Sequence, residues 1–575
     1  MGQLSLDKVN PMNFKSQLSS HIVSVWVTLY IAVFLNALIF WRHLDIRSET
    51  SIAVTALSVV GLSSATFVLL SLARMFGRRF YKAFAGFLIL SSAAAAFYMI
   101  VHHVVIGYGV IASVLTTDVD LHGEQFGARF ITWMVLLGIV PTIMVCLCQL
   151  DQAAKGRKRT VAYTLIAIIT AVCSFKTMDA IERHEAKQKN TFAPSPSGRI
   201  AHTYLPSNWL SALGLFAYEK FKSAEDAQLL DPAQKFAYSA PADLADAYVV
   251  FVLGETTRSD HMGLLGYARN TTPKLQQETN LFAFRGVSCD TATKLSLRCM
   301  FVRPEGVSDN EQRSLTQKNV FSVLRHLGFS IELFSLQSEV WFYRNVHAND
   351  YKIREMIAAQ MSDSNRRIDD RVLNEQVLES LKKYPKGKHV IVLHTKGSHY
   401  AYSERHPESF AQFKPECKSN DAACSLDALI NSFDNSVLYV DTMLSELLDI
   451  LRDKKAIVFY TSDHGESLSE NMHFHATPRK KAPAEQFRVP YLVWMSDSFK
   501  TASPANEQAF ANLQQLQSQQ AILPHQTLFA SILGCAGITS SSEGGIVSTQ
   551  NICNSSFEVD PSANVLPGRQ QPIYP

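Results

Sequence analysis

The pattern of apolar and polar positions divides the chain near residue 180. Before that point, residues 22–41, 51–73, 83–101 and 130–149 are runs without a charged side chain. Each is long enough to cross roughly 30 Å of hydrocarbon as a helix. A fifth run, 160–178, is interrupted only by Lys176, whose apolar stem can carry its charge toward an interface. The pattern predicts five spans, with four spans plus an interfacial segment as the alternative. Lys and Arg cluster in 74-RMFGRRFYK-82 and 151-DQAAKGRKRT-160, which places both loops in the cytoplasm. An odd number of spans then puts the chain beyond about residue 180 outside. The first run is too long for a cleaved leader, and no small-x-small site follows it.

Between the third and fourth runs, 102–126 begins with an apolar stretch too short to span, read as an interfacial helix. Residues 185–199 are polar and bear Pro and Ser, as a linker does. In 206–221 a helix-start signal precedes an apolar face suited to a membrane surface. From 247 the period changes. Short apolar runs at 247–255, 328–337, 389–397, 455–463 and 489–495 alternate with longer helical patterns. That alternation predicts an α/β sheet, largely parallel and covered on both faces. The expected organisation is a transmembrane domain over 1–181, a linker with an amphipathic interfacial helix over 182–243, and an outer α/β domain over 244–575.

The length of 575 residues admits two or three domains, and a net charge of +3 argues against a dedicated nucleic-acid binder. Of nine cysteines, Cys146, Cys148 and Cys173 fall in the apolar third. Cys289 with Cys299, Cys417 with Cys424, and Cys535 with Cys553 form sequence-local pairs, as an oxidising compartment permits.

Three of the predicted strands end in polar clusters: Glu255 to Arg258; His394, Lys396 and His399; Asp463, His464 and Glu466. Ligand sites of open α/β sheets gather beyond the carboxyl ends of strands. Glu255, Asp463 and His464 offer oxygen and nitrogen donors suited to Zn²⁺, with one position left for a hydroxyl whose pKa the cation would lower. Candidate hydroxyls lie in 289-CDTATKLSLRC-299, and spacing alone does not separate Thr293 from Thr291.

The set 254-GETTR-258, 289-CDTATKLSLRC-299, 394-HTKGSH-399, 463-DHGES-467 and 475-HATP-478 resembles the lipid A phosphoethanolamine transferases of the alkaline phosphatase/sulfatase superfamily. The resemblance covers nearly the whole chain, and 289-CDTATKLSLRCMFVR-303 is most similar to the subgroup that modifies the Kdo sugar of Kdo₂-lipid A. It implies an inner-membrane enzyme with a periplasmic catalytic domain. Thr293 matches the nucleophile; Glu255, Thr293, Asp463 and His464 match the zinc site; His399 and His475 match residues that line the phosphoryl group or bind a second metal. The resemblance implies phosphatidylethanolamine as donor, lipopolysaccharide as acceptor, a covalent threonine intermediate, and a monomer in the bilayer. An additional divalent ion such as Ca²⁺ fits the same pattern.

Two stretches depart from the family. Residues 333–345 lack the lysine that many members carry there. Of the positions expected to meet the donor headgroup, Ser113 and Thr117 are polar, whereas the third is Leu121, with Asp118 or Glu124 as nearby substitutes. Other acceptors (lipid A phosphate or core heptose), a membrane-anchored phosphatase and a glycerophosphate polymerase are the competing enzymatic readings. A non-catalytic membrane sensor built on the same fold is the reading from another class. A sulfatase would need Cys-x-Pro-x-Arg, and Met300–Val302 follow Cys299 instead.

Overall fold

The structure is a computed structural model. It describes residues 20–116, 127–150, 157–188, 203–222, 229–306, 316–337, 339–361, 366–418, 424–468, 473–542, 544–565 and 572–575. Two compact units divide the chain: residues 1–100 with 128–211, and residues 101–127 with 212–575.

In the first unit, α1 (His21–His43), α2 (Glu49–Met75), α3 (Arg78–Val101), α5 (Ala128–Leu147) and α6 (Arg157–Gln188) supply five helices long and apolar enough to cross a membrane. The fifth apolar stretch extends over Lys158–His184, 27 residues, so it has full spanning length. Large apolar side chains such as Leu29, Phe34, Leu136, Leu165 and Ile169 are exposed on these helices, as lipid-facing surfaces require. Inside the unit the helices approach closely. A Cβ on Gly61 of α2 would meet the Phe175 ring of α6 at 2.6 Å, so glycine sets that crossing. The one amide buried in α1, Asn36, donates to the Leu205 carbonyl (2.8 Å) and accepts from its N–H (2.9 Å). Its polar atoms are thereby satisfied without water. The expected linker residues 189–202 lie outside the described residues.

The second unit is built on an eight-stranded sheet. Its strands are β1 (Ala247–Gly254), β2 (Leu281–Val287), β3 (Ser330–Ser335), β4 (Asp350–Lys352), β5 (His389–His394), β6 (Lys455–Ser462), β7 (Arg488–Met495) and β8 (Ile522–Pro524). They are ordered β8-β2-β7-β6-β1-β5-β3-β4. Only β7 runs against the others, antiparallel to both β2 and β6. The central strand shows why the apolar runs are continuous. Val249, Phe251 and Leu253 join one core cluster, and Tyr248, Val250 and Val252 join the cluster on the other face. The second face is covered by α10 (Arg371–Lys383) and α11 (Leu426–Leu451), the first by α9 (Val320–His326), α12 (Pro504–Ser518) and α13 (Leu528–Cys535). Sulfur–sulfur bonds join Cys289 to Cys299, Cys417 to Cys424 and Cys535 to Cys553.

Two helices flank this sheet domain in sequence: α4 (Tyr108–Thr116) and α7 (Ser207–Lys222). Tyr108 and Ala112 of α4 pack with Phe216 of α7 against Ala292, Leu295 and Ala476. Part of the face expected at a membrane surface is therefore buried in protein, while Val114 and Leu115 remain exposed.

Candidate active site

Parallel pairing of β1 with β6 puts Gly254 opposite Ser462, so the next residues, Glu255 and Asp463, emerge side by side beyond the sheet. The ladder continues by one bond, from Asp463 N–H to the Gly254 carbonyl (3.0 Å). Glycines let other loops close over this edge. Gly397 has φ +50°, and a Cβ there would lie 2.5 Å from the Glu255 carbonyl oxygen. A Cβ on Gly465 would lie 2.1 Å from the Glu485 carbonyl oxygen. Neither position accepts a side chain without moving the backbone that carries a site residue.

Thr293 opens α8 (Thr293–Ser296), the short helix within the Cys289–Cys299 bridge. Its Oγ1 lies 3.3 Å from each carboxylate oxygen of Glu255 and 3.2 Å from His464 Nε2. Thr291, two residues earlier, is directed elsewhere: its buried hydroxyl donates to the Thr477 carbonyl at 2.5 Å. Of the two hydroxyls that the spacing left equivalent, Thr293 alone reaches the acid–histidine cluster.

Glu255, Asp463 and His464 are 1 %, 0 % and 0 % exposed and bring one donor atom each within 4.8 Å of one another. His464 Nδ1 donates to the Gly465 carbonyl (2.8 Å), so Nε2 carries a lone pair. That lone pair faces Glu255 Oε1 at 3.4 Å and Asp463 Oδ2 at 3.3 Å. Acceptors thus oppose acceptors in a buried site, and Asp463 Oδ2 receives no hydrogen bond from the described residues. Burial, then repulsion from Asp463, drives the Glu255 carboxyl well above the usual carboxylate range. A cation between these groups removes the conflict. Four donors around an ion at about 2.0 Å in a tetrahedron lie about 3.3 Å apart, close to the separations of Thr293 from Glu255 and His464 and of His464 from Glu255 and Asp463. The residues therefore fit a four-coordinate metal.

Two further imidazoles flank the cluster. The rings of His464 and His475 are 4.4 Å apart and those of His475 and His399 are 5.6 Å apart. His475 Nδ1 donates to Glu466 (3.1 Å), and Phe474 and Ala476 on either side both have positive φ. Burial pushes His475 down to about 4. Burial, reinforced by His475, holds His399 well below the usual imidazole range. Both rings are neutral at physiological pH. His399 Nδ1 is buried without a hydrogen-bond partner among the described residues.

The sulfatase family profile matches residues 247–538, and the profile described as phosphoethanolamine transferase EptA/EptB matches residues 62–209. The Kdo(2)-lipid A phosphoethanolamine 7''-transferase of Escherichia coli strain K12 is 45 % identical, covering 96 % of this chain and 100 % of that protein. Its counterpart in Salmonella typhimurium is 46 % identical over 94 % and 98 %. The chain belongs to the phosphoethanolamine transferase family. The fold of this phosphoethanolamine transferase is also that of an integral membrane lipooligosaccharide phosphoethanolamine transferase from Neisseria meningitidis. That structure is 24 % identical, has a TM-score of 0.77, and matches over 93 % of this chain and 99 % of its own.

The transferase site contains residues that sequence reasoning passed over. His394, at the end of β5, is fully buried with Nε2 3.9 Å from Glu255 Oε2, and its Nδ1 meets the Tyr343 hydroxyl at 2.9 Å. Gln337 donates to Glu255 Oε2 at 3.4 Å, within the stretch that lacks the family lysine. The available signal for His394 was its position at a strand end opposite Leu253. Of the expected headgroup residues, Ser113 lies on α4, whereas Thr117, Asp118, Leu121 and Glu124 lie outside the described residues.

Proposed function

We propose that this chain transfers phosphoethanolamine from phosphatidylethanolamine to the Kdo sugar of Kdo₂-lipid A through a covalent phosphoethanolamine–Thr293 intermediate. It is a multi-pass inner-membrane enzyme with its catalytic unit in the periplasm. The observation that carries the reading is the Thr293 hydroxyl, 3.2–3.3 Å from His464 and Glu255 in a buried cluster of metal-ligand type. The near-full-length similarity to two Kdo(2)-lipid A transferases supports the acceptor.

Glu255, Thr293, Asp463 and His464 would hold the metal, and the nitrogen donor with a four-donor set favours zinc over Ca²⁺, which takes oxygen ligands. When bound, such an ion supplies positive charge that lowers the pKa of a neighbouring hydroxyl and screens phosphate oxygens. The chain's own groups do the rest. In the first step Thr293 Oγ1 forms a bond to phosphorus as its proton leaves. The bond from phosphorus to the glycerol oxygen breaks, and diacylglycerol departs with a proton. In the second step a Kdo hydroxyl oxygen bonds to phosphorus and gives up its proton. The phosphorus–Thr293 bond breaks, and the threonine hydroxyl is restored. His399, neutral and flanking, offers a hydrogen bond to a non-bridging oxygen in both steps, whereas His475 spends its proton on Glu466 and leaves Nε2 as an acceptor. The Cys289–Cys299 bridge limits the freedom of the segment that aligns the hydroxyl.

Mass spectrometry of lipopolysaccharide from cells carrying the wild type or Thr293→Ala tests this. A gain of one phosphoethanolamine on the Kdo-containing fragment, absent in the variant, is the expected result. A gain confined to lipid A phosphate or heptose would move the acceptor, and no gain anywhere would favour a phosphatase.

A further inference from the structure

Asp370 stands at the start of α10 and is 3 % exposed. An aspartate in that place ordinarily accepts a bond from the first turn of its own helix. The Asp370 side chain does not cap α10. Its two carboxylate oxygens are spent 26 residues further on: one accepts the Lys396 N–H at 2.6 Å, and the other accepts the Gly397 N–H at 2.9 Å. The neighbouring Asp369 takes the local bonds instead, from the Arg371 N–H (3.1 Å) and the Tyr439 hydroxyl (2.6 Å). Consecutive backbone N–H groups that converge make a cradle for an anion. Here a buried carboxylate of the chain itself fills the cradle.

The cradled loop follows β5 and lies on Glu255. Thr395 N–H donates to the Leu253 carbonyl at 3.0 Å, and Ser398 N–H to the Glu255 carbonyl at 2.9 Å. Between those two bonds Gly397 comes so close that a Cβ would lie 2.8 Å from the Glu255 nitrogen. The turn closes with a bond from His399 N–H to the Lys396 carbonyl at 3.2 Å. Lys396 and Gly397 therefore link Asp370 to the backbone of two site residues, Glu255 and His399.

We infer that Asp370 is a positioning residue of the transferase site: by anchoring the 395–399 loop it holds the backbone of Glu255, and with it the carboxylate that meets Thr293, and it sets where His399 stands. This rests on the reading of Glu255 as a metal donor and adds the group that keeps it in place. A donor carboxylate displaced by about 0.5 Å weakens both the grip on an ion and the alignment of the hydroxyl beside it. Asp370→Asn keeps the shape of the side chain and one acceptor oxygen. Its amide then turns N–H bonds toward one of the two loop N–H groups, donor against donor, and the loop loses half of its anchor.

The test uses full-length protein in detergent micelles. Zinc affinity is read by chelator competition, and the unfolding temperature is followed on the same samples. Asp370→Asn is expected to bind zinc about tenfold to a hundredfold more weakly. Formation of the Thr293 adduct from phosphatidylethanolamine should slow as well. Asp369→Asn loses bonds to Arg371 and Tyr439 but none to the loop, so it is expected to keep wild-type zinc affinity even where its unfolding temperature falls. A lowered unfolding temperature in Asp370→Asn with unchanged zinc affinity would leave Asp370 a purely structural part and overturn the inference. Equal weakening of zinc in Asp369→Asn would overturn it too. Wild-type protein that binds no zinc would sink the metal reading itself, a result distinct from an unaffected variant. Should Asp370→Asn fail to fold, Asp370→Glu, with its charge one methylene further out, carries the same comparison.

Discussion

His525 accepts the Cys289 N–H on Nδ1 at 3.3 Å and, on its other nitrogen, meets the Thr461 hydroxyl at 3.2 Å. One buried imidazole therefore ties the start of the disulfide-bounded segment to β6, the strand that Asp463 follows. Because Nδ1 is an acceptor, Nε2 carries the proton and donates to Thr461. Burial pushes His525 down to about 3, so this tautomer persists through the physiological range. His525→Leu is expected to remove both of these bonds and to cost about 1–3 kcal/mol. Thermal unfolding in detergent checks the stability. Transfer should fall while bound metal is retained, since no donor is removed.

Chelation is expected to do more than stop turnover. With the cation gone, the buried oxygens of Glu255 and Asp463 oppose one another and the His464 lone pair, so the unfolding temperature should drop. Elemental analysis of the purified protein should find zinc, and Asp463→Asn should lose it. Retention of a full metal complement by that variant would remove Asp463 from the site.

The two threonines should separate cleanly. After incubation with phosphatidylethanolamine, the peptide containing residues 289–299 should carry phosphoethanolamine on Thr293, as fragment-ion masses would reveal. Thr291→Val should still form the adduct, at a stability cost of about 1 kcal/mol for the lost hydrogen bond to the Thr477 carbonyl. Thr293→Val should form none.

Gly465→Ala tests the loop rather than a ligand. The new Cβ meets the Glu485 carbonyl oxygen at 2.1 Å, and both partners are backbone, so the 463–466 loop must move. Reduced metal content together with lost transfer is expected, even though every donor side chain remains. Full activity would mean that the loop tolerates displacement.

Acid sensitivity has an identifiable source beneath the site. Asp260 receives two bonds from Arg258 and one from Arg488, all at 2.8 Å. Burial works against its charge, but the guanidiniums of Arg258 and Arg488 win and hold the carboxyl well below the usual carboxylate range. A carboxyl depressed on folding stabilises above its unfolded pKa, near 4, and loses that contribution as pH falls through its folded value. Asp260→Asn should flatten the acid limb of a stability–pH curve and cost about 3 kcal/mol at pH 7, where the buried Arg258 loses its carboxylate partner. Unfolding followed from pH 7 to pH 3 measures both.

Much of this was readable before any coordinates. Glu255 and Asp463 could be placed because each directly follows a long apolar strand, and such strands sort to the sheet centre with their ends aligned. The spans could be placed because a charge-free run has few other uses. Elsewhere the local signal was too short or the contact too distant. β4 and β8 are three residues each, below the length at which alternation is detectable. In β2 the exposed Arg285 interrupts the apolar run. The choice between Thr291 and Thr293 depends on a carbonyl at residue 477, and the parts played by His394 and Gln337 depend on Glu255. No window of neighbouring residues contains those pairs.

The order of strands in the sheet sets when this enzyme can act. Residue 463 reaches residue 255 only when β6 pairs with β1, across the whole stretch of chain between them. A chain still emerging from its translocation channel therefore holds Thr293 without Asp463 and His464, and the proposed centre is assembled only once β6 is in place.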